Sequence, residues 1–449
     1  MPMPNKNEKI FVCQKCDAQS PKWSGRCLNC GAWGTIEESI ANKSPENKQP
    51  IHFSEKNLID FASIKKEEFP RLLTKISEVD QILGGGIVPG SLILLGGEPG
   101  IGKSTIVMQI LKNLAINAPT LLYISGEESA TQIKMRSDRL NYDGKNLKFL
   151  PETNVAEICG AIEKIKPTLA IIDSIQTIYT DQAVGERGGV SQIRTATTQI
   201  METAKKTNVP VILIGHVTKD GSVAGPKTLE HLVDVVIYLE GEKFQDLRIM
   251  RSSKNRFGNT NEIGVFEMTE LGLMEIKDPS RIFLAPNFEN IAGSVVSATM
   301  EGSRAFLIEV QSLVTPTIFG YPQRKCSGFE ITRLQMLSAV LFKRASLNLN
   351  TQDIHLNIVG GFDVSDPAID LPVAMAIFSA FKNQPVDRQT IYLGEIGLGG
   401  ELRPVANLEK RLAEAKKLGF ATAVIPEMKL VKDFGLKIVK IKNIKEIQN

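Results

Sequence analysis

Six short apolar runs punctuate residues 57 to 275: SLILLGG, TLLYIS, LAIIDS, VPVILIGH, VDVVIYLE and LRIMRSS. They are rich in Val, Ile and Leu and lack the apolar–polar alternation of a half-exposed strand. Runs of this kind are strands buried on both faces. Helical stretches separate them, so the pattern predicts an α/β fold with a mostly parallel sheet. From about residue 280 the period changes. SVVSATMEG, AFLIEVQSLV and DIHLNIVGG alternate and lead into helical segments such as LEKRLAEAKKLG, which predicts a second, α+β domain. Residues 37–56 are polar, carry two prolines and have almost no apolar period, so they read as a linker. The expected division is a cysteine module at 1–36, a linker at 37–56, an α/β domain at 57–275 and an α+β domain at 276–449.

Composition changes this picture little. With 449 residues the chain is too long for one core, and 42% hydrophobic with 23% charged residues is ordinary for a globular protein. A net charge of +3 neither demands nor excludes a polyanionic partner. No apolar run reaches the roughly 20 residues of a membrane helix. The first residues, MPMPNKNEKIFVC, hold no apolar signal core. A cytoplasmic protein without a membrane partner is expected.

The cysteines are concentrated. CQKCDAQSPKWSGRCLNC places Cys13, Cys16, Cys27 and Cys30 as two CxxC turns separated by ten residues. Two such turns complete a tetrahedron of thiolates around Zn²⁺, and a module this small needs a metal to fold. A redox pair is the other use of CxxC, but no strand–helix context surrounds either turn. Four ligands leave no open coordination position, so the zinc is structural. Trp23 and Trp33 flank the second turn, either packed or offered to a partner.

LILLGGEPGIGKST carries the strongest chemistry. Gly97, Glu98, Pro99, Gly100, Ile101, Gly102, Lys103 and Ser104 fit GxxxxGK[ST] between an apolar strand and a helical run that starts at Thr105. In this pattern backbone N–H groups and a helix N-terminus cradle the phosphates of ATP, Lys103 reaches the terminal phosphates, and Ser104 ligates Mg²⁺. Asp173, ending LAIID, is placed to hold Mg²⁺ through water. Glu127 and Glu128 end another strand-like run, and one of them can orient the attacking water as a general base. His216, at the end of VPVILIGH, is either a sensor of the terminal phosphate or a hydrogen-bonded strand-end residue.

The succession of a four-cysteine knuckle, GGEPGIGKST, IIDS, KNRFG and a Lon-protease-like tail resembles the bacterial RadA (Sms) family of DNA-repair ATPases over nearly the whole chain. The resemblance implies a RecA-like core and a homo-hexameric ring on DNA. It implies binding of single-stranded and branched DNA, branch migration in homologous recombination, and a RecA-type recombinase as partner. It also gives a use to Lys254 and Arg256 of KNRFG, which alone would read as a solvated turn. In RecA-like rings the nucleotide lies between protomers, so both cations would reach a neighbour's phosphates.

The resemblance further points to two glycine-rich loops, TDQAVGERGGVSQIR and HVTKDGSVAGPKTLEH, as facing a central pore. Their cations Arg187, Lys219 and Lys227 suit contact with a phosphate backbone without reading sequence, and neither loop holds an aromatic residue for stacking on bases. In the tail, Lon's serine position carries Ala368, with Ser365 three residues upstream, and its lysine position carries Glu409, with Lys410 next. With neither nucleophile nor base in reach, peptide hydrolysis fails, and the tail is expected to be a ring-forming scaffold. Two other readings remain: a regulatory RecA-fold ATPase that binds protein partners, and an ATP-dependent peptidase.

Overall fold

The computed structural model describes residues 9–13, 18–29, 31–40, 70–216, 226–241, 246–276, 280, 284, 291–318, 320–359, 363–430 and 432–448. At the N-terminus, β1 (Lys9–Cys13), β2 (Gln19–Ser20) and β3 (Ile36–Ile40) form an antiparallel sheet in the order β2-β1-β3. β3 therefore carries this sheet into the first residues of the polar stretch read as a linker.

The next part of the chain runs α1 (Ser77–Ile82), β4 (Leu92–Gly97), α2 (Lys103–Leu114), β5 (Leu121–Ser125), α3 (Ala130–Arg139), β6 (Leu147–Leu150) and α4 (Val155–Ile165). It continues with β7 (Leu169–Asp173), α5 (Val190–Thr207), β8 (Val211–His216), α6 (Pro226–Leu229), β9 (Val235–Gly241), β10 (Leu247–Asn255), β11 (Ile263–Thr269) and β12 (Gly272–Glu275). These strands make one sheet in the order β12-β11-β10-β9-β4-β8-β7-β5-β6. From β9 to β6 every pairing is parallel. β4, β5 and β7 are buried along their whole length, because helices cover both faces, and this is why their sequences show no alternation. The run LRIMRSS behaves differently: it becomes β10 and pairs antiparallel with both β9 and β11. An apolar run reports burial, and partner direction is set by the connection. The β9–β10 link is too short for a crossover helix. β6, β11 and β12 lie outside the six apolar runs.

The remainder folds around β13 (Ser294–Glu301), β14 (Arg304–Pro316), β15 (Arg324–Ser327), α7 (Ile331–Arg344), β16 (Gln352–Ile358) and α8 (Asp370–Lys382). It closes with β17 (Thr390–Tyr392), β18 (Glu395–Ile396), β19 (Leu402–Arg403), α9 (Leu408–Lys417), β20 (Thr422–Pro426) and β21 (Lys437–Ile441). Its main sheet is mixed, in the order β15-β16-β14-β13-β17-β20-β21, with β13, β14 and β16 antiparallel and the outer pairings parallel. Leu247, Ile249, Ile263 and Val265 of the first large sheet share a core cluster with Phe306, Ile308 and Leu337 of the second part. Arg304 also pairs with Glu78 at 2.6 Å and Arg251 with Glu301 at 2.7 Å. Apolar burial and partly buried ion pairs thus join the two sheets.

Candidate active site

The phosphate loop hangs on the end of β4. A Cβ on Gly97 would stand 2.5 Å from the Leu239 carbonyl oxygen, so only glycine lets β9 lie that close. Gly102 has φ +116° and sits directly before α2, which aims its N-terminus into a cleft. Lys103 is 3% exposed, and its Nζ donates to the carbonyls of Gly97 and Glu98 at 2.9 Å each. Burial lowers its pKa to about 8, against the opposing pull of Asp173 and Glu127. Carbonyl dipoles hold the ammonium where phosphate anions would replace them.

The cleft has a volume of about 250 Å³ and is lined by Gly100, Gly102, Lys103, Ser104, Thr105, Glu127, Glu128, Arg136, Arg139, Asp173 and His216. Pro99 and Ile101 complete the loop, with the Ile101 N–H donating to the Glu98 carbonyl at 3.3 Å. Asp173 ends β7 and is 4% exposed; its Oδ2 accepts from Ser104 Oγ at 2.9 Å and from the Tyr123 hydroxyl at 2.5 Å. A hydroxyl beside a buried carboxylate is an oxygen donor set that fits Mg²⁺. Ligand atoms of Glu127, Asp173 and His216 lie within 4.8 Å of one another.

The two adjacent glutamates are in different situations. Glu128 accepts both arms of the Arg136 guanidinium, with Nη1 to Oε2 at 2.7 Å. Glu127 accepts from Ser174 Oγ and has His216 Nε2 3.7 Å from its Oε2. The His216 imidazole, aided by Ser174 and Lys103, holds the Glu127 carboxyl below its usual range although partial burial opposes it. His216 Nδ1 and Gln176 Oε1 are buried polar atoms with no hydrogen-bond partner among the described residues, while Gln176 Nε2 donates to the His216 carbonyl at 3.1 Å.

Sequence reading missed Tyr123, Arg136, Arg139, Ser174 and Gln176. A faint signal existed for the arginines. They lie three apart on the helix that follows Glu128, hence on one face. Tyr123 gave none, since a tyrosine in a buried strand reads as core.

Lys254 and Arg256 lie elsewhere. β10 ends beside the start of β9, with Asn255 opposite Val235, and Val235 stands beside Ile93 at the start of β4. KNRFG therefore lies at the end of the strands opposite the phosphate loop, one strand length or about 17 Å away. Lys254 Nζ donates to the Glu230 carbonyl at 2.7 Å, and Arg256 Nη1 lies 3.1 Å from Asp234 Oδ1. The rest of the motif shapes the turn. Asn255 Nδ2 donates to the Ile82 carbonyl at 3.0 Å, the Phe257 carbonyl accepts from Arg71 Nη2 at 2.8 Å, and a Cβ on Gly258 would meet Gly84 Cα at 2.9 Å.

Arg187 is exposed, and its guanidinium lies over the Tyr179 ring, 4.1 Å from the centroid. An aromatic thus stands immediately before a loop that has none of its own. Lys219 lies outside the described residues, as does the side chain of Lys227. In the N-terminal module Cys13 and Cys27 are buried, and the Cys27 carbonyl accepts from the Gly31 N–H at 2.9 Å, which tightens the knuckle. Cys16 and Cys30 lie outside the described residues. Trp23 and Trp33 are 64% and 75% exposed, so they are presented rather than packed. In the tail Ala368 is fully buried, Ser365 is exposed, and Lys410 Nζ donates to the Ser303 carbonyl at 3.1 Å. Buried Arg411 pairs with Asp366 at 2.7 Å, so an ion pair occupies the neighbourhood where a dyad would be needed.

Numbered along the chain, the parallel strands β4 to β9 lie in the order 3-2-4-5-1-6, with β8 between the phosphate-loop strand and the strand of Asp173. That order, with the phosphate loop between β4 and α2 and the acid at the end of β7, defines a RecA-like P-loop ATPase, an enzyme that hydrolyses ATP. Family models agree: an AAA domain matches residues 61–222, a rubredoxin metal-binding domain residues 11–38, and subunit ChlI of Mg-chelatase residues 333–429. The N-terminal module is accordingly a zinc ribbon and the tail a Lon-like α+β domain. DNA repair protein RadA of Bacillus subtilis (strain 168) is 43% identical, covering 98% of each chain. That of Streptococcus pyogenes serotype M1 is 46% identical, covering 99% of each. The chain belongs to the RadA family of DNA repair proteins. The KaiC-like protein PH0186 of Pyrococcus horikoshii OT3 is 21% identical, covering 46% of this chain and 99% of its own, with a TM-score of 0.40. The RadB recombinase is 22% identical, covering 46% and 100%, with a TM-score of 0.36. Neither likeness bears on function at that distance.

Proposed function

We propose that this repair ATPase is a DNA-dependent motor of homologous recombination. It works as a cytoplasmic homo-hexameric ring that binds single-stranded DNA and drives branch migration beside a RecA-type recombinase. The observation that carries the reading is the placement of the phosphate loop and of Lys254 and Arg256 at opposite strand ends of one sheet. Protomers packed with one chain's cation-bearing strand ends against the next chain's phosphate loop around a ring would set those cations against its nucleotide.

The chain's residues divide the work. Lys103 and the amides of the phosphate loop bind and orient the triphosphate. Ser104 and Asp173 would hold Mg²⁺, which neutralises charge on the terminal phosphates. Glu127, kept ionised and held by Ser174, takes the proton of the attacking water. Glu128 is committed to Arg136 and is the poorer base. His216 touches Glu127 and feels the terminal phosphate. Lys254 and Arg256 of the neighbour stabilise charge on the phosphoryl oxygens, a contribution of about 10³–10⁵ in rate when supplied in trans. Arg187, with Lys219 and Lys227, tracks the DNA backbone. Buried Ala368 and the Arg411–Asp366 pair speak against a peptidase.

The test is ATP turnover with and without single-stranded DNA, with Lys254→Ala and Lys103→Ala mixed as a second arm. DNA should stimulate the wild type, and the mixture should exceed either variant alone. Turnover indifferent to DNA would refute the motor and favour a regulatory ATPase that meets protein partners through exposed Trp23 and Trp33.

A further inference from the structure

Resting on the reading of Lys254 and Arg256 as cations supplied to a neighbour, we infer that Asp234 is the residue that positions Arg256 for that task. Asp234 is 4% exposed, yet its partner's side chain is half exposed. Its Oδ1 meets Arg256 Nη1 at 3.1 Å, and the Arg256 N–H donates to the Asp234 carbonyl at 3.2 Å. Its Oδ2 accepts from the Leu92 N–H at 3.1 Å, and its own N–H donates to the Leu92 carbonyl at 2.9 Å. One buried carboxylate therefore ties the guanidinium to the first residue of β4. The other end of that strand bears the same chain's phosphate loop.

This arrangement has a physical consequence. An arginine on a flexible stem loses much rotamer entropy when it docks on phosphate. A fixed carboxylate at one corner of the fork removes part of that cost beforehand, and the rest of the fork stays available for a phosphate. Because Asp234 is also bonded to β4, the cation offered to one nucleotide and the loop that grips the next share a single strand. Lys254 is held by the same short segment, through the Glu230 carbonyl at 2.7 Å, so residues 230–234 form a common cradle for both cations.

Asp234→Asn tests the assignment, because the amide keeps an acceptor for the Leu92 N–H and loses the charge that holds Arg256. Expected is a fall in kcat of about tenfold or more with KM for ATP within about twofold. Adding Asp234→Asn to Arg256→Ala should lower kcat no further, because the position would act only through that arginine. Mixed one to one with Lys103→Ala, Asp234→Asn should recover about a quarter of wild-type turnover per chain. Half the chains have an intact phosphate loop, and half of those meet an intact cation in a randomly assembled ring. Asp234→Glu supplies a second variant if the amide does not fold. It keeps charge and acceptor but shifts the guanidinium by one methylene, so it should also lower kcat at constant KM. Unchanged kcat in both variants, a rise in KM alone, or a further loss in the double variant would overturn the assignment. If Arg256→Ala is itself not rescued by Lys103→Ala, the trans reading falls and takes this inference with it. Rescue of Arg256→Ala without rescue of Asp234→Asn sinks the inference alone.

Discussion

Nucleotide binding should take up a proton through Lys103. In the free protein burial lowers this ammonium to a pKa of about 8, so at pH 8 about half the chains carry it neutral. A triphosphate replaces the Gly97 and Glu98 carbonyls with anions and favours the charged form, so the bound state is protonated throughout. The uptake is then about 0.1 proton at pH 7, 0.5 at pH 8 and 0.9 at pH 9, and affinity should fall about tenfold between pH 7 and pH 9, or about 1.4 kcal/mol. The terminal phosphate, with a second pKa of about 6, is already ionised there. Glu127, held below its usual range, does not titrate in this window. Titration calorimetry with a non-hydrolysable ATP analogue, in buffers of different ionisation enthalpy at pH 8, reads the uptake directly. Binding heat that does not depend on the buffer would refute the reasoning. The sign for stability is separate. An unfolded lysine keeps its proton to about pH 10 and the folded one only to about 8, so the penalty of burying the charge is full below pH 8 and is relieved from there to about 10.

Glu127→Gln should lower kcat by about 10²–10⁴ while leaving nucleotide binding intact; Glu128→Gln should act chiefly by freeing Arg136 and cost less, and equal losses in rapid-quench ATPase assays would contradict the division. Gly258→Ala drives a methyl against the Gly84 backbone at 2.9 Å and should destabilise the chain by about 1–3 kcal/mol, seen as a lower urea midpoint; an unchanged midpoint would show the turn to be more pliable than described. Chelation, or Cys27→Ser, should release one zinc per chain and unfold the N-terminal module, followed by a metallochromic dye and by protease sensitivity confined to residues 1–40. Resistance equal to that of the loaded protein would remove the structural role.

Much of this protein was readable from local pattern. The zinc knuckles and the phosphate loop are set by short spacing, because each CxxC turn and the phosphate cradle bring their groups together within a few residues, and Asp173 was legible as the acid that ends a buried apolar run. Buried strands were legible because covering both faces removes polar alternation. What only the tertiary structure decided depends on partners distant in sequence. Local chemistry cannot tell Glu127 from Glu128, since what separates them is Arg136 on the following helix and His216 on β8. The antiparallel course of β10 follows from connection length rather than hydrophobicity. The distance of KNRFG from its own phosphate loop, and the tie from Arg256 through Asp234 to β4, exist only because the sheet sets residues 92, 234 and 256 side by side.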